Sequence, residues 1–331
     1  MKVGIVGGGP VGCYCGYLLA SKGFHVDIFE EDKDIGKPVQ CTGIVTRKIL
    51  GFINIEPLNV VNKVRVHSEN KSIDLRLQDN LVIDRAAFDL KLAEMASKAG
   101  ARINTGCKVD KISRKGVYAP KLFDCDIIIG ADGPGSIVAK YIGVNRRFWK
   151  GVQARVRAKN DNAVDFYLNK GVYSWKVPES DKVVRVGGLA TKKQVEELIE
   201  GEVLEWQGGL IPKYDSKQPI QKNNIYLVGD AAGQVKATTG GGLVPGLLAC
   251  EDLADSIVCG RKYKGVGLWT HLKIREVLDR FDPDDYDKLL VLCDRRVQRI
   301  LSRYSRDDAL RLVFHLILVQ PRFLGFLGKV F

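Results

Sequence analysis

The sequence predicts an α/β fold in which a domain of parallel βαβ units is interrupted by an antiparallel sheet and followed by a helical C-terminal part. Three observations predict it. A buried strand, a glycine-rich turn and a helix open the chain over residues 2–21. Segments with period-2 alternation follow one another between 148 and 190, which is typical of an antiparallel sheet with one buried face. After residue 260 the chain is helical and basic.

The opening βαβ unit carries a dinucleotide-binding fingerprint. Gly7, Gly9 and Gly12 have the spacing GxGxxG directly after a strand. They permit the tight turn, the approach of the backbone to a pyrophosphate and close helix packing, while the helix N-terminus offers N–H groups to phosphate. Glu30 ends the second strand 18 residues after Gly12, where its carboxylate can accept the ribose hydroxyls. Because an acidic residue there disfavours a 2′-phosphate, we expect FAD or NAD rather than NADP.

Two short motifs follow other strands of the predicted parallel sheet. The segment IIIGADGPGS places Asp132 and Gly133 after one strand, and IYLVGDAAG places Gly229 and Asp230 after another. Together with GxGxxG, this ordered set resembles the p-hydroxybenzoate-hydroxylase-like FAD-dependent flavoproteins. The resemblance implies that the cofactor is FAD, bound by a Rossmann-type domain.

The resemblance also implies where FAD lies. The aspartate of the GD motif contacts the ribityl–pyrophosphate part, and the following loop TTGGGL lies against the isoalloxazine ring. The arginine that opens the helix after Asp84 reaches phosphate, and the backbone of Val109, in a strand predicted over 107–112, meets the adenine. The cofactor-binding residues expected on this basis are Gly7, Gly9, Val11, Gly12, Glu30, Arg85, Val109, Asp132, Gly133, Gly229, Asp230, Gly241, Gly242 and Leu243.

Two features narrow the resemblance to the geranylgeranyl reductases, of the digeranylgeranylglycerophospholipid reductase type. Cys41 and Gly43 match a Cys-x-Gly in the loop after the second strand, and VYSWKVP, with Tyr173, Trp175 and Pro178, matches the YxWxFP motif of the substrate sheet. The family then implies Cys41 as the catalytic residue and the other four as substrate-binding residues. From the residues alone, Cys41 is equally a small buried hydrophobe, and the two aromatic residues are equally a core pair on one strand face.

The positions of these motifs along the chain imply a discontinuous FAD-binding domain, an inserted sheet domain and a helical C-terminal region. We expect an FAD-binding domain over 1–50, 81–145 and 219–260, a substrate-binding sheet domain over 51–80 and 146–218, and a helical region over 261–331.

The implied reaction is saturation of isolated C=C bonds in a geranylgeranyl chain, most simply of an archaeal-type diether phospholipid precursor. FAD supplies the hydride and the site supplies a proton. Three roles stay open for Cys41: donating the proton, positioning the alkene, or setting the pocket shape. Two other functions also stay open, an FAD-dependent aromatic monooxygenase and a non-catalytic flavin-bearing lipid-binding protein. Since no second GxGxxG follows a strand, we expect a transient electron donor: NAD(P)H, a reduced deazaflavin or ferredoxin.

Composition and charge limit the partners. The formal net charge is +12, which fits an anionic lipid, and no nucleic-acid-binding motif is present. The apolar stretch 310–331 is interrupted by His315 and Pro321 and falls short of the roughly 20 residues of a spanning helix. It is a candidate for peripheral membrane contact or simply a helix packed on the core. Eight cysteines without zinc spacing, and a strand at the N-terminus in place of a signal peptide, predict no metal and a reducing, cytoplasmic setting.

Overall fold

The computed structural model describes residues 1–168 and 172–329. In chain order, the strands of these ranges are β1 (Lys2–Val6), β2 (His25–Phe29), β3 (Ile44–Thr46), β4 (Asn59–His67), β5 (Ser72–Val82), β6 (Arg102–Asn104), β7 (Lys111–Ser113), β8 (Gly116–Tyr118), β9 (Leu122–Asp124), β10 (Ile127–Gly130), β11 (Phe148–Arg157), β12 (Ala163–Tyr167), β13 (Ser174–Pro178), β14 (Val183–Gly188), β15 (Glu202–Pro212), β16 (Gln221–Lys222) and β17 (Ile225–Leu227).

The same ranges contain α-helices and short 3₁₀ helices. The α-helices are α1 (Pro10–Ser21), α2 (Arg85–Lys98), α3 (Ile137–Tyr141), α4 (Lys192–Glu196), α5 (Leu243–Cys259), α6 (Trp269–Leu278), α7 (Pro283–Val291), α8 (Arg295–Arg303) and α9 (Ala309–Val319). Short 3₁₀ helices cover Arg47–Gly51, Gly229–Ala232 and Pro321–Lys329. No helix of the described residues combines the length and the apolar character needed to cross a membrane.

The chain divides into two compact units. The first unit comprises Met1–Val39, Arg85–Trp149 and Ile211–Trp269. The second comprises Gln40–Asp84, Lys150–Leu210 and Thr270–Phe331, so the helices from α6 onward fall with the large sheet.

The first unit is built on a six-stranded sheet in the order β16-β17-β10-β1-β2-β6. From β17 to β6 the strands are parallel. Val6 at the end of β1 is level with Phe29 of β2 and with Gly130 of β10, and Gly130 is level with Leu227 of β17. The four segments that leave these strands therefore start at one edge of the sheet, which is where ligands bind in open α/β sheets.

Helix α1 packs against α2 and α5 in this unit. It begins with Pro10 at its first position, where proline costs no hydrogen bond. The strand predicted over 107–112 is wrong in its bounds, because β7 spans only Lys111–Ser113. The chain before it is bonded to the end of β2 instead, where the Cys107 N–H donates to the Glu30 carbonyl oxygen at 2.7 Å.

The second unit is built on an eight-stranded sheet in the order β15-β11-β14-β13-β12-β4-β5-β3. Neighbours from β11 to β12 and from β4 to β3 are antiparallel, as expected. The antiparallel pairing predicted for the segments between 148 and 190 is present, and the sheet also contains one parallel contact, between β12 and β4. These two strands enter the unit in separate passes of the chain, about a hundred residues apart, so no hairpin constrains their direction.

Candidate functional site

The GxGxxG turn has the close backbone contacts that require glycine. Gly7 has φ +102°, and a β carbon there would lie 2.4 Å from the Ala131 carbonyl oxygen. A β carbon at Gly12 would lie 2.0 Å from the Gly7 carbonyl oxygen. At Gly9, the N-cap of α1, a β carbon would meet nothing within 4 Å. The turn is therefore packed on its inner side and open at the helix N-terminus, as a phosphate site must be.

Glu30 lies beside this turn. Its carboxylate accepts from the Gly8 N–H at 2.6 Å and from the Asp32 N–H at 2.8 Å. These bonds fix the carboxylate at the end of β2. An ionised carboxylate has about four lone-pair sites, so it retains acceptor capacity for ribose hydroxyls.

Val11 joins the first motif to the GD motif. A β carbon at Gly229, which has φ +61°, would lie 3.0 Å from Val11 Cγ1, and one at Gly246 of α5 would lie 2.7 Å from Val11 Cγ2. The Cys250 thiol donates to the Val11 carbonyl oxygen at 3.3 Å. Glycine at both positions lets the GD turn and α5 approach the start of α1.

Asp230 follows Gly229 and lies next to the glycine loop. A β carbon at Gly242 would come within 2.9 Å of Asp230 Oδ1. Burial raises the pKa of Asp230 to about 6, and the positive charge of Arg85 opposes that shift. Arg85 is itself held by a two-bond ion pair with Asp89, at 3.2 and 3.0 Å. The Asp230 carboxyl and the Arg85 guanidinium thus interact electrostatically as a polar pair, and a carboxyl with a raised pKa is typical of a functional site.

The loop before α5 presents backbone where a flat ring would have to approach. Gly240 has φ +67°, and Gly242 is the N-cap of α5, which begins at Leu243 as predicted. The Lys236 N–H donates to the Gly241 carbonyl oxygen at 3.1 Å, and the Gly240 N–H donates to the Lys236 carbonyl oxygen at 2.8 Å. The helix N-terminus supplies a partial positive charge beside this loop.

Asp132 has a structural task in the loop after β10. It accepts from Ser136 Oγ at 2.6 Å and from the Ile137 N–H at 2.8 Å, and thereby holds Ser136, the N-cap of α3, in place. Gly133 has φ +71° with open space where a β carbon would stand. Val109 is buried in the apolar core beneath β10. The Asp132 carboxylate is thus already engaged within the loop, and Val109 belongs to the core.

Sequence reasoning missed two residues that support the GD turn. The Gly229 N–H donates to Gln234 Oε1 at 2.7 Å, and Gln234 Nε2 donates to the Tyr263 hydroxyl at 2.8 Å. That hydroxyl donates to the Leu227 carbonyl oxygen at 3.1 Å. The tyrosine comes from a loop about thirty residues downstream, and no local spacing signals the bond.

In the second unit, the segment Gln40–Gly43 lies on the large sheet. Gly43 has φ +68°, and its N–H donates to Cys41 Sγ at 3.3 Å. The Gly43 carbonyl oxygen accepts from the Ile83 N–H at 2.9 Å. The left-handed conformation gives a physical reason for glycine two residues after the cysteine.

A buried arginine holds this segment. Arg185 Nη1 donates to the Thr42 carbonyl oxygen at 2.5 Å and to the Ile83 carbonyl oxygen at 3.3 Å. Its Nε donates to Glu179 Oε2 at 2.8 Å, and Glu179 also accepts two bonds from Arg155, at 2.9 and 2.6 Å. The Arg185 side chain is 7% exposed. We call Arg155, Glu179 and Arg185 the ion-pair triad. Sequence reasoning did not identify it, because Arg155 is on β11, Glu179 follows β13 and Arg185 is on β14, 6 to 30 residues apart.

Tyr173 and Trp175 are buried, with ring centroids 5.8 Å apart. Trp175 Nε1 donates to Gln153 Oε1 at 3.1 Å. Gly187 lies between Gln153 and Trp175 in the sheet, and a β carbon at Gly187 would lie 2.8 Å from the Trp175 ring. The indole therefore lies over a glycine, with its N–H satisfied, and burial raises the pKa of Tyr173.

The register shows which of these residues share a face of the sheet. Alternate residues of a strand lie on one face, and opposed residues of an antiparallel pair point to the same side. Arg185 is opposite Val177, two residues beyond Trp175. Arg185 and Trp175 therefore share a face, whereas Pro178 alternates with them and lies on the other. The structure does not bring Pro178 together with the two aromatic residues on one face.

Gln40 lies on the face that carries Trp175. Gln153 Nε2 donates to Gln207 Oε1 at 2.8 Å across β11 and β15. Two residues further along β15, a β carbon at Gly209 would lie 3.1 Å from Gln40 Oε1. With Gln40 beside Gly209 and the Thr42 carbonyl on Arg185, the segment that contains Cys41 covers the same side of the sheet as Trp175.

The residues of the first unit fit FAD. An open helix N-terminus, a carboxylate at the end of β2, a polar pair beside the GD turn and a loop of three glycines are arranged along one sheet edge. No group of three or more His, Cys, Asp or Glu side chains within the described ranges could hold a metal ion. Fold and site define an FAD-dependent oxidoreductase.

Comparison with known proteins agrees with this class. A family model described as an NAD(P)-binding Rossmann-like domain matches residues 5–42. The chain is 27% identical to a digeranylgeranylglycerophospholipid reductase of Methanothrix thermoacetophila, over 86% of this chain and 89% of that protein. It is 30% identical to an uncharacterized protein of Methanocaldococcus jannaschii, over 86% of each. A solved structure of a geranylgeranyl bacteriochlorophyll reductase-like protein from Thermoplasma acidophilum has the same fold, with a TM-score of 0.80 at 23% identity over 94% of this chain and 95% of that one.

Along most of its length the chain is similar to archaeal digeranylgeranylglycerophospholipid reductases, which are geranylgeranyl reductases. The resemblance drawn from the sequence motifs is confirmed.

Proposed function

We propose that this protein saturates C=C bonds in the geranylgeranyl chains of an archaeal-type diether phospholipid precursor. The observation that carries the proposal is the common sheet face shared by the Cys41 segment and Trp175, in a chain that matches an archaeal digeranylgeranylglycerophospholipid reductase along most of its length. A prenyl chain needs apolar walls and few polar contacts. Tyr173 and Trp175, with the Trp175 N–H already bonded, offer such a wall.

The cofactor site follows from the first unit. Gly9 and the N-terminus of α1 would bind the pyrophosphate, Glu30 the ribose, Asp230 the ribityl chain, and the backbone of Gly241 and Gly242 the ring. When bound and reduced, FAD supplies the hydride that the alkene needs.

Cys41 is the proposed catalytic residue. Its sulfur accepts a hydrogen bond from the Gly43 N–H, and the backbone that follows it, at Thr42 and Gly43, is fixed by Arg185 and Ile83. A thiol held in this way can present its S–H to one carbon of the alkene or fix the alkene by contact. An isolated C=C bond has no carbonyl that could accept charge, so a positioned proton source is part of any such reaction.

A matched pair of cysteine substitutions tests this role. Cys41→Ser is expected to change the turnover or the choice among double bonds, with the FAD absorbance unchanged. The control is Cys259→Ser, which removes an exposed thiol at the end of α5. If both variants keep wild-type turnover and selectivity, Cys41 has no catalytic role.

The donor and the place of reaction complete the proposal. Electrons come from a donor that binds transiently: NAD(P)H, a reduced deazaflavin or ferredoxin. Stopped-flow reduction of the holoprotein with each donor identifies it. The substrate is collected by peripheral contact with a membrane, which the net charge of +12 favours for an anionic lipid.

One experiment separates the proposed function from its two alternatives. The holoprotein is reduced with dithionite under anaerobic conditions and mixed with a geranylgeranyl lipid. Saturated product supports the reductase, and product formed only with O2 identifies an aromatic monooxygenase. Lipid binding without flavin reoxidation identifies a non-catalytic lipid-binding protein.

A further inference from the structure

Helix α9 carries an apolar stripe that faces solvent. Leu310, Phe314 and Leu318 are spaced i, i+4 and i+8, and they are 66%, 58% and 62% exposed. The helix contains Ala309 as its one buried residue. Three large apolar side chains on one face of one helix form a contiguous surface, unlike the single exposed apolar residues that any protein has.

Two arginines beside this stripe pack near the ring of Tyr304. The guanidinium of Arg311 lies 5.1 Å from the Tyr304 ring centroid, and that of Arg303, at the end of α8, lies 5.8 Å from it. His315 stacks on Tyr304 with centroids 4.2 Å apart, and Phe314 meets His315 edge-on at 5.5 Å. The two arginines and the exposed Phe314 are thus joined through one aromatic cluster.

The net charge of this region is positive. Residues 295–319 contain six arginines and two aspartates. Both aspartates are engaged, since Asp307 bonds to Thr46 and Asp308 accepts from the Arg311 N–H as the N-cap of α9. Helix α9 itself holds no acidic residue. The stripe is therefore flanked by net positive charge.

An apolar stripe with basic, aromatic flanks matches the surface of an anionic bilayer. Apolar side chains enter the acyl boundary while arginines meet phosphate, and aromatic residues favour the level between them. A second copy of this chain fits less well, because a two-fold contact through the stripe would bring the same arginines toward one another.

We propose that the Leu310–Phe314–Leu318 face of α9, with Arg303 and Arg311, docks the protein on an anionic lipid surface. This inference rests on the proposed function, because a membrane-lipid substrate is what would bring the protein to a bilayer. It adds that the exposed face of α9 is the part of the protein that contacts the bilayer.

Vesicle flotation with the full chain tests the apolar half of the surface. Vesicles of equal parts phosphatidylcholine and phosphatidylglycerol are compared with pure phosphatidylcholine. Replacing Phe314→Ser together with Leu318→Ser is expected to weaken binding to the mixed vesicles by at least about tenfold, since each side chain loses apolar burial. Val258→Ser with Val291→Ser, at exposed apolar positions elsewhere, is the control and keeps wild-type binding.

Charge substitutions test the other half. Arg303→Gln and Arg311→Gln are each expected to weaken binding about fivefold, the effect of one basic residue at an anionic surface. Lys33→Gln with Lys193→Gln, at exposed positions away from the stripe, leaves binding unchanged. Added salt weakens wild-type binding more than that of the arginine variants.

Three results overturn the inference. The first is unchanged flotation of the Phe314/Leu318 variant, and the second is equal binding of wild type to pure phosphatidylcholine. The third is a change of oligomeric state in that variant by light scattering, which assigns the face to a second copy. Turnover of detergent-dispersed lipid distinguishes the two proposals. The docking variants should retain this turnover, because no bilayer has to be bound. If the wild-type protein shows no such turnover, the proposed function alone is rejected.

Discussion

The ion-pair triad behind the Cys41 segment gives a prediction of stability. Glu179→Gln keeps the side-chain volume and removes the charge that two arginines share. Arg185 is 7% exposed, so its guanidinium would remain buried without a counter-charge. Arg155 is 34% exposed, and solvent screens the loss on that side. Removing one partner of a buried pair costs about 3–5 kcal/mol, and partial screening on the Arg155 side places Glu179→Gln near the lower end, at about 3 kcal/mol.

The effect depends on pH in a defined direction. Burial raises the pKa of Glu179, but the hydrogen bonds from Arg155 and Arg185 lower it by more than burial raises it. The pKa of Glu179 therefore lies below its ordinary value. A carboxylate with a lowered pKa contributes stability that is fully present above about pH 4.3, the unfolded value. That contribution is lost as the pH falls through the folded pKa. The difference between wild type and Glu179→Gln is therefore large at pH 7 and narrows below pH 4.

Urea unfolding followed by tryptophan fluorescence at both pH values measures this difference. The control is Glu202→Gln, which breaks an exposed pair with Arg157 whose side chains are 64% and 63% exposed. It should cost less than about 1 kcal/mol. Equal losses in the two variants, or a Glu179→Gln deficit that does not shrink in acid, would refute the reasoning.

Other substitutions test the cofactor site. Gly9→Ala adds a β carbon to open space at the start of α1, so the variant should still fold. Its FAD affinity, measured by fluorescence titration, should fall by at least about tenfold, because the methyl group occupies the position proposed for the phosphate. Gly51→Ala, also in open space, is the control and keeps wild-type affinity. At pH 8 the buried Asp230 carboxyl is ionised at a cost in stability, because its pKa is raised. Asp230→Asn should therefore stabilise the FAD-free protein by about 1–3 kcal/mol at pH 8. Below pH 4 the carboxyl is neutral in the folded protein and mostly neutral in the unfolded protein, so the substitution should give no such gain. It should weaken FAD binding at the same time, and a destabilised FAD-free variant at pH 8 would contradict the role of burial at Asp230.

Local signals predicted the first unit well. The glycine spacing, Pro10, Asp84 and the three glycines before Leu243 each act within a few residues, so α1, α2 and α5 begin where the sequence indicates. The strands that carry the motifs are buried apolar runs, which have few alternatives to a parallel sheet. Val109 shows the limit, because Cys107 is bonded to β2, and the strand begins later than its apolar pattern indicates.

The second unit was predicted less well because its organisation depends on pairings between distant segments. The parallel contact of β4 with β12 joins parts of the chain that no turn connects. In the sequence, Arg185 is an ordinary polar residue of a strand and Glu179 follows one, and nothing in their spacing shows that both are buried or that Arg185 holds Thr42. The position of Pro178 on the face opposite Trp175 follows from strand alternation, which a motif match alone does not consider.

One anaerobic turnover shows directly whether this protein reduces prenyl double bonds. Dithionite-reduced holoprotein is mixed with a digeranylgeranyl glycerophospholipid, and the lipid is extracted for mass spectrometry. We expect the lipid to gain the mass of two hydrogens for each reduced bond, with flavin reoxidation in step and without O2. Unchanged lipid beside flavin that stays reduced would contradict it.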